Sequence, residues 1–392
     1  MRRVIGVVTG SRADYSGMLP ILRKLQANAN LQLHLIVTGM HLSPEFDQTV
    51  KVIKADGFEI GEQVEMLLSS DTSEAIGKSM GLGLIGFSQA YARRRPDVLL
   101  VLGDRFEMHS AALAALPFKI PVAHVHGGEL TLGAIDDALR HSITKLSHLH
   151  FAATEEYARR IVQMGEESWR VLISGAPALD LLHSARLLTR EELSERYHLR
   201  LQERPLLVTY HPVTLEFEET EEQVSQLLDA LRASAMPIVI TAPNADTGGR
   251  VTKKLMEDFV QSYPLAQMIA NLGTEAYWSL MRQAVAMVGN SSSGLIEAPS
   301  FGLPVVNIGT RQQGRGRAEN VIDVGYRSEE ILQGIRKAVL PDFRAHLVGK
   351  PNPYGSGSAS DVIVKKLQAV SLDLKLIQKS FVDMPASSIC SV

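Results

Sequence analysis

Short runs of β-branched and aliphatic residues alternate with longer amphipathic stretches over nearly the whole chain, the pattern of a parallel sheet with helical crossovers. In the first half it predicts strands at 4–9, 32–38, 98–102, 121–125, 149–153 and 171–174. A charged, helix-like stretch at 189–203 follows. The pattern then restarts, with strands expected at 206–210, 237–242, 267–270, 285–288, 304–308 and 321–324. Gly and Pro in "SGAPALDLL" interrupt regular structure near Gly175–Leu182, which marks a boundary between two similar α/β units. The segment "GKPNPYGSG" at 349–357 is a second break, and a helical stretch follows at about 359–379. The expected organisation is one domain over 1–178, a second over 179–358, a C-terminal helix over 359–382 packing back on the first, and a tail over 383–392. Doubly wound sheets take their ligands beyond the C-terminal ends of the strands, so two of them facing each other gather those loops around one cleft.

Composition narrows the class. With 392 residues, 45% of them hydrophobic and 21% charged, the chain has the material for two buried cores. No apolar run reaches the roughly 18 residues that span a bilayer, and "MRRVIGVVTG" runs straight into the first strand, so the expectation is a cytoplasmic protein with no membrane partner. The lone Cys390 can form no internal disulfide. A net charge of −3 leaves no footprint for nucleic acid.

The chemistry collects where the strands end. "TGSRADY" at 9–15 follows the first strand: Gly10 and Ser11 permit a tight turn, the next helix presents backbone N–H groups, and Arg12 adds a charge suited to phosphate. The dinucleotide fingerprint G-x-G-x-x-G is missing from it. "VLGDRFE" at 101–107 ends a strand in Asp104 and Arg105, readable as cleft residues or as a structural ion pair. "HVHGGE" at 124–129 places His124 and His126 on one face if its strand continues that far. With Glu129 they invite a zinc reading, but no cysteine or third histidine follows at a typical spacing, and acid/base use is the stronger rival. No metal and no cofactor are expected. In "GAIDDALRHSITKLSHLHF", Asp136 and Asp137 suit a helix start, while Arg140, Thr144 and Lys145 follow at helical spacing. His148 and His150 read as buried, hydrogen-bonded residues.

In the second half "TYHPVT" ends a strand at His211, and "APNAD" ends the next with Asn244 and Asp246. "GNSSSGLIEAPSFGLPVV" at 289–306 is the most informative run. Ser291, Ser292, Ser293 and Gly294 supply hydroxyl and backbone donors where a helix begins, and Glu297 lies just inside it, an arrangement that can hold a pyrophosphate and a ribose. An N-cap accounts for one serine but not for the set. "GTRQQGRGRAEN" then clusters Arg311, Arg315 and Arg317, which favours an anionic ligand.

The ordered set TGSRADY, LGDR, HVHGGE, DD with RHSITKLSHLHF, YHPVT, GNSSSGLIE and GTRQ-GR resembles the hydrolysing UDP-N-acetylglucosamine 2-epimerases of bacterial sialic acid synthesis, from about Val4 to Lys379. The resemblance implies two Rossmann-like domains in the glycosyltransferase-B arrangement, assembled as a homodimer or homotetramer. It implies conversion of UDP-N-acetylglucosamine and water to N-acetylmannosamine and UDP, by anti elimination through a 2-acetamidoglucal. By the same resemblance Asp104, Asp136 and His211 match catalytic positions with Arg105 beside them. Arg12, Asn244, Ser291, Ser292, Glu297 and Arg311 match UDP contacts, the serines on the pyrophosphate and Glu297 on the ribose. One departure stands out: the wider family has a catalytic glutamate in H-x-E, and this chain has His126 there. Either His126 inherits the proton transfer, or Glu129 replaces the missing acid.

Other readings differ in substrate or class. A paralogous enzyme acts on UDP-2,4-diacetamido-2,4,6-trideoxyglucose in legionaminic acid synthesis and shares these motifs. A non-hydrolysing epimerase carries H-x-E-A-G-x-R, which is absent here. A glycosyltransferase has a similar nucleotide half but does not call for the acids and histidines of the first half. A non-catalytic nucleotide-sugar sensor keeps the Ser291–Glu297 site and tolerates loss of Asp104 and Asp136, both of which are present.

Overall fold

A computed structural model describes residues 2–46, 48–70, 72–132, 134–182, 185–213, 215–243, 248–270 and 272–383. Seven strands of the N-terminal half, β1 (Arg3–Thr9), β2 (Leu31–Thr38), β3 (Ile60–Val64), β4 (Val98–Leu102), β5 (Val122–Val125), β6 (Leu149–Ala152) and β7 (Val171–Ile173), form one parallel sheet in the order β3-β2-β1-β4-β5-β6-β7. Six of the C-terminal half, β8 (Leu206–Thr209), β9 (Ile238–Thr241), β10 (Ala266–Ile269), β11 (Ala286–Gly289), β12 (Val305–Ile308) and β13 (Val321–Val324), form a second, ordered β10-β9-β8-β11-β12-β13. The apolar pattern predicts twelve of these strands to within about two residues. It predicts none at β3, because "IGEQV" lies on the sheet edge with Gly61 and Gln63 exposed or half-exposed, so two-sided burial never shaped its sequence.

Each sheet reverses its winding direction once, between β1 and β4 in the first and between β8 and β11 in the second. A crevice opens at such a switch point, beyond the strand ends. The quoted motifs follow β1, β4, β5, β8, β11 and β12, so the topology alone brings them together.

The helix Arg12–Ala27 packs Met18, Ile21, Leu22 and Leu25 against Ile5, Val7 and Leu35 of the first sheet. Burying such a side chain contributes roughly 1.5–3 kcal/mol. The same core takes Ile363, Val364 and Leu367 of the helix Ala359–Ala369 and Leu376 beyond it, so the chain crosses to the second half and returns to finish the first. Arg170, almost wholly buried, holds this return by donating to the carbonyls of Lys375, Leu376 and Gln378, each at 2.8 Å. Glu166 takes Lys145 at 2.6 Å, Lys379 at 2.8 Å and His150 at 3.2 Å, which accounts for His150 as a buried, hydrogen-bonded residue. His148 is likewise bonded, its Nδ1 accepting from Val122 N–H at 3.1 Å.

Polar contacts close the two halves on each other. Thr274 donates to Ser16 at 2.6 Å, and the Tyr157 hydroxyl meets that of Tyr354 at 2.9 Å while accepting from Gly316 N–H at 2.8 Å. Among the described residues no helix is long and apolar enough to cross a membrane.

Candidate active site

The first wall starts at the turn after β1. Ser11 caps the helix by accepting from Asp14 N–H at 3.3 Å, and the Asp14 carboxylate accepts from Gly10 N–H at 3.2 Å. This reciprocal capping fixes Arg12 at the rim, where it donates to the Ala270 carbonyl of the other half. Burial pushes the Asp14 carboxyl up to about 6 against the pull of Arg105.

After β4, Gly103 turns the chain with φ +78° and presents Asp104 and Arg105. The Arg105 guanidinium is clamped by the fully buried Glu107, with two bonds of 3.1 Å. Asp104 pairs with Arg140 from the helix Asp136–Leu146. Arg140 also donates to the Glu129 carbonyl at 3.0 Å and the Thr131 hydroxyl at 2.7 Å, tying the end of β4 to the turn after β5. Its burial holds the guanidinium well below its ordinary pKa.

The strand carrying "HVHGGE" stops at Val125, and His126 takes a left-handed φ of +65°, so His124 and His126 do not share a strand face. Gly128, at φ +78°, allows the turn, since a Cβ there would sit 2.3 Å from the Tyr157 carbonyl oxygen. The two histidines therefore part company. His124 is core: its Nε2 bonds the Gly103 carbonyl at 2.7 Å, Thr144 approaches Nδ1 at 3.3 Å, and burial pushes its pKa down to about 3. His126 lies on the cleft with Nδ1 2.5 Å from Glu129 Oε1. A neutral imidazole donates from Nδ1 to that carboxylate and keeps its Nε2 lone pair. Burial opposes charge on Glu129, but Arg315 and His126 outweigh it and lower its pKa. Among the described residues no group of three or more His, Cys, Asp or Glu side chains is arranged to hold a metal ion.

The second wall hangs on Asn290, which accepts from His211 N–H and donates to the His211 carbonyl, both at 2.8 Å. Gly289 must be glycine, because at φ +139° a Cβ would lie 2.1 Å from the Thr209 carbonyl oxygen. Ser291 and Ser293 bond each other at 2.9 Å, and Ser293 bonds the hydroxyl of the half-buried Tyr277 at 2.8 Å, which orients the serine set. Glu297 ends the short helix Ser293–Ile296; burial raises its carboxyl to about 7, and its Oε2 has no hydrogen-bond partner among the described residues. Arg311 and Gln312 both donate to the Asn290 carbonyl, at 3.3 and 2.8 Å.

One cavity of about 320 Å³ joins the two walls. Asp104, Arg105, His126, Glu129 and Asp136 line it from the N-terminal half together with Arg12. His211, Ser291, Ser292, Glu297 and Arg311 line it from the other. Gly294 is off this lining: it lies under Val305, where a Cβ would meet Val305 Cγ1 at 2.9 Å, and its role is close packing. Asn244 falls outside the described residues. Sequence reasoning left four contributors unassigned. Glu107 and Arg140 stood inside quoted motifs, Arg315 inside a basic cluster, and Tyr277 carried no signal.

The chain matches the family model described as UDP-N-acetylglucosamine 2-epimerase over residues 23–368. It belongs to that family. A UDP-N,N'-diacetylbacillosamine 2-epimerase (hydrolyzing) of Legionella pneumophila is 37% identical to this family member over 97% of the chain and 99% of its own length. A UDP-N-acetylglucosamine 2-epimerase of Neisseria meningitidis serogroup B is 34% identical over 86% and 88%. A crystal structure of a UDP-GlcNAc 2-epimerase from Neisseria meningitidis, bound to UDP-GlcNAc, has the same fold, with a TM-score of 0.79 at 21% identity over 93% of this chain and 99% of that one. Both sheets and their facing cleft thus follow the glycosyltransferase-B arrangement that the family resemblance implies. Within its family this 2-epimerase is a hydrolysing UDP-sugar enzyme.

Proposed function

We propose that the enzyme takes UDP-2,4-diacetamido-2,4,6-trideoxyglucose and water to UDP and the corresponding 2,4-diacetamido-2,4,6-trideoxymannose. The observation that carries the reaction type is the meeting, in one cavity, of an acid–base wall with a wall of serine hydroxyls and arginine. The end-to-end 37% match to a diacetylbacillosamine enzyme supports the diacetamido substrate. UDP-N-acetylglucosamine is the second reading, supported by the family description and by the 34% relative.

In the first step a base removes the C2 proton, the C1–O bond breaks and UDP leaves with its electron pair, giving the 1,2-unsaturated 2-acetamidoglycal of that sugar with its C4 acetamido group intact. In the second, a proton returns to C2 from the opposite face and hydroxide from water joins C1, which inverts C2. Two proton carriers on different sides of the ring are therefore needed. We assign one to His126 through Nε2, oriented by Glu129, and the other to Asp104 or Asp136. Arg105 and His211 balance charge on the departing diphosphate. Ser291, Ser292, Arg12 and Arg311 hold the diphosphate, and Glu297 accepts from the ribose hydroxyls, with Asn244 assigned to the nucleotide by resemblance alone. In this assignment the catalytic domain is 1–178 and the nucleotide domain is 179–358.

The test is turnover of each UDP-sugar in D₂O, followed by NMR. The expected products are free UDP and a manno-configured sugar deuterated at C2, and the faster substrate names the specificity. Products that retain hydrogen at C2 would sink the elimination mechanism.

A further inference from the structure

We infer that Arg315 is a positioning residue for the Glu129–His126 pair, supplied by the nucleotide-binding half so that the proton-transfer pair is completed only when the two halves close. This rests on the reading of the site given above. Arg315 sits in the loop after β12, yet its guanidinium Nη2 lies 3.0 Å from Glu129 Oε2 and 4.0 Å from Asp104 Oδ2 across the cleft. Its side chain is 8% exposed, and Nε and Nη1 have no hydrogen-bond partner among the described residues. A charge buried this far is retained at a cost unless a partner needs it.

The loop that carries it is stitched to the opposite half on both sides. Before Arg315, the Gln313 carbonyl accepts from Leu132 N–H at 3.2 Å, and Gly314 at φ +85° sits so close to Leu130 that a Cβ would come within 2.8 Å of Leu130 Cβ. After it, Gly316 N–H donates to the Tyr157 hydroxyl at 2.8 Å, while within its own half the Gly316 carbonyl accepts from Tyr354 at 3.0 Å. Opening the halves would withdraw the guanidinium from Glu129.

The consequence is electrostatic. His126 holds one oxygen of Glu129 and Arg315 faces the other. With Arg315 facing its second oxygen, the Glu129 carboxylate shares its charge between two partners, and the bond to Nδ1 turns His126 Nε2 toward the cleft. Without it, the buried carboxylate stabilises the imidazolium, which cannot act as a base. The other charged groups around His126 are Asp104 at the end of β4, Asp136 and Arg140 on the helix Asp136–Leu146, and His211 and Glu297 on the second wall. His124 behind it is held neutral by burial.

The test compares Arg315→Gln with Arg315→Lys, both checked for folding by circular dichroism. For Arg315→Gln the expected results are a kcat lower by roughly 100-fold, a KM within about threefold of wild type, and an acid limb of kcat/KM moved to higher pH. Arg315→Lys, which keeps a cation, should bring that limb back towards wild type. Nitrogen NMR of His126 gives a readout independent of turnover: the imidazolium should persist to higher pH in Arg315→Gln. An unmoved acid limb and unmoved His126 titration overturn the proposal, as does a rise in KM matched by weaker UDP inhibition, which makes Arg315 a phosphate ligand. If wild type turns over neither UDP-sugar, the functional reading fails instead, and the NMR comparison still decides the fate of Arg315.

Discussion

At the scale of single residues, the proposed roles separate a charge that must stay from a proton that must move. Asp104 faces the cleft but is anchored by Arg140. Asp104→Asn keeps the shape and loses the carboxylate, so turnover should fall by about 1,000-fold while calorimetry finds UDP affinity little changed; loss of UDP binding in a folded variant would make Asp104 a binding residue. For His126→Ala and Glu129→Gln the informative quantity is the double variant. If Glu129 works through His126, the double loses no more activity than the worse single, whereas independent roles give multiplied losses. The sequence made these residues visible as candidates because each follows a β-branched strand. It did not reveal which partner each would take. The Arg140–Asp104 and Arg315–Glu129 pairs join segments far apart in the chain, and the left-handed turn at His126 lies outside what periodicity reports.

At the scale of elements, the returning C-terminal segment carries a pH dependence. Burial raises the Glu166 pKa, but bonds from His150, Lys145 and Lys379 outweigh this and bring it from 4.5 down to about 2. A carboxyl lowered by folding stabilises the native state above its unfolded pKa, and the contribution fades as pH falls from 4.5 towards about 2. Glu166→Gln should therefore cost on the order of 3 kcal/mol in urea unfolding at pH 7, with the gap to wild type narrowing over that acidic window. A gap constant with pH would place the stabilisation elsewhere. The helical stretch itself was legible, from the break at 349–357 that precedes it. Strand β3 was not, because an exposed edge need not be apolar.

At the scale of the whole molecule, two neighbouring helices expose large apolar side chains. Leu82 (41% exposed) and Ile85 (58%) lie on the helix Ser73–Arg93, which packs against the helix Phe106–Ala115, at whose end Leu113 (36%) and Leu116 (40%) are also exposed. Paired helices of this kind suit isologous contact with a second copy, in which the same apolar patch serves both partners. Sedimentation should give a dimer mass for the wild type and a monomer mass for Ile85→Asp; a monomeric wild type would remove the idea.

The helix Ala359–Ala369 also sets an order of events during synthesis. Ile363, Val364, Leu367 and Leu376 complete the core that helix Arg12–Ala27 begins. A ribosome that has delivered every strand of the N-terminal sheet has still not delivered what seals it. The nascent first half must wait, with one face of its sheet incompletely covered, while the entire second half is translated. Chaperone binding to this protein should accordingly peak before residue 359 emerges and fall once the final helices are released.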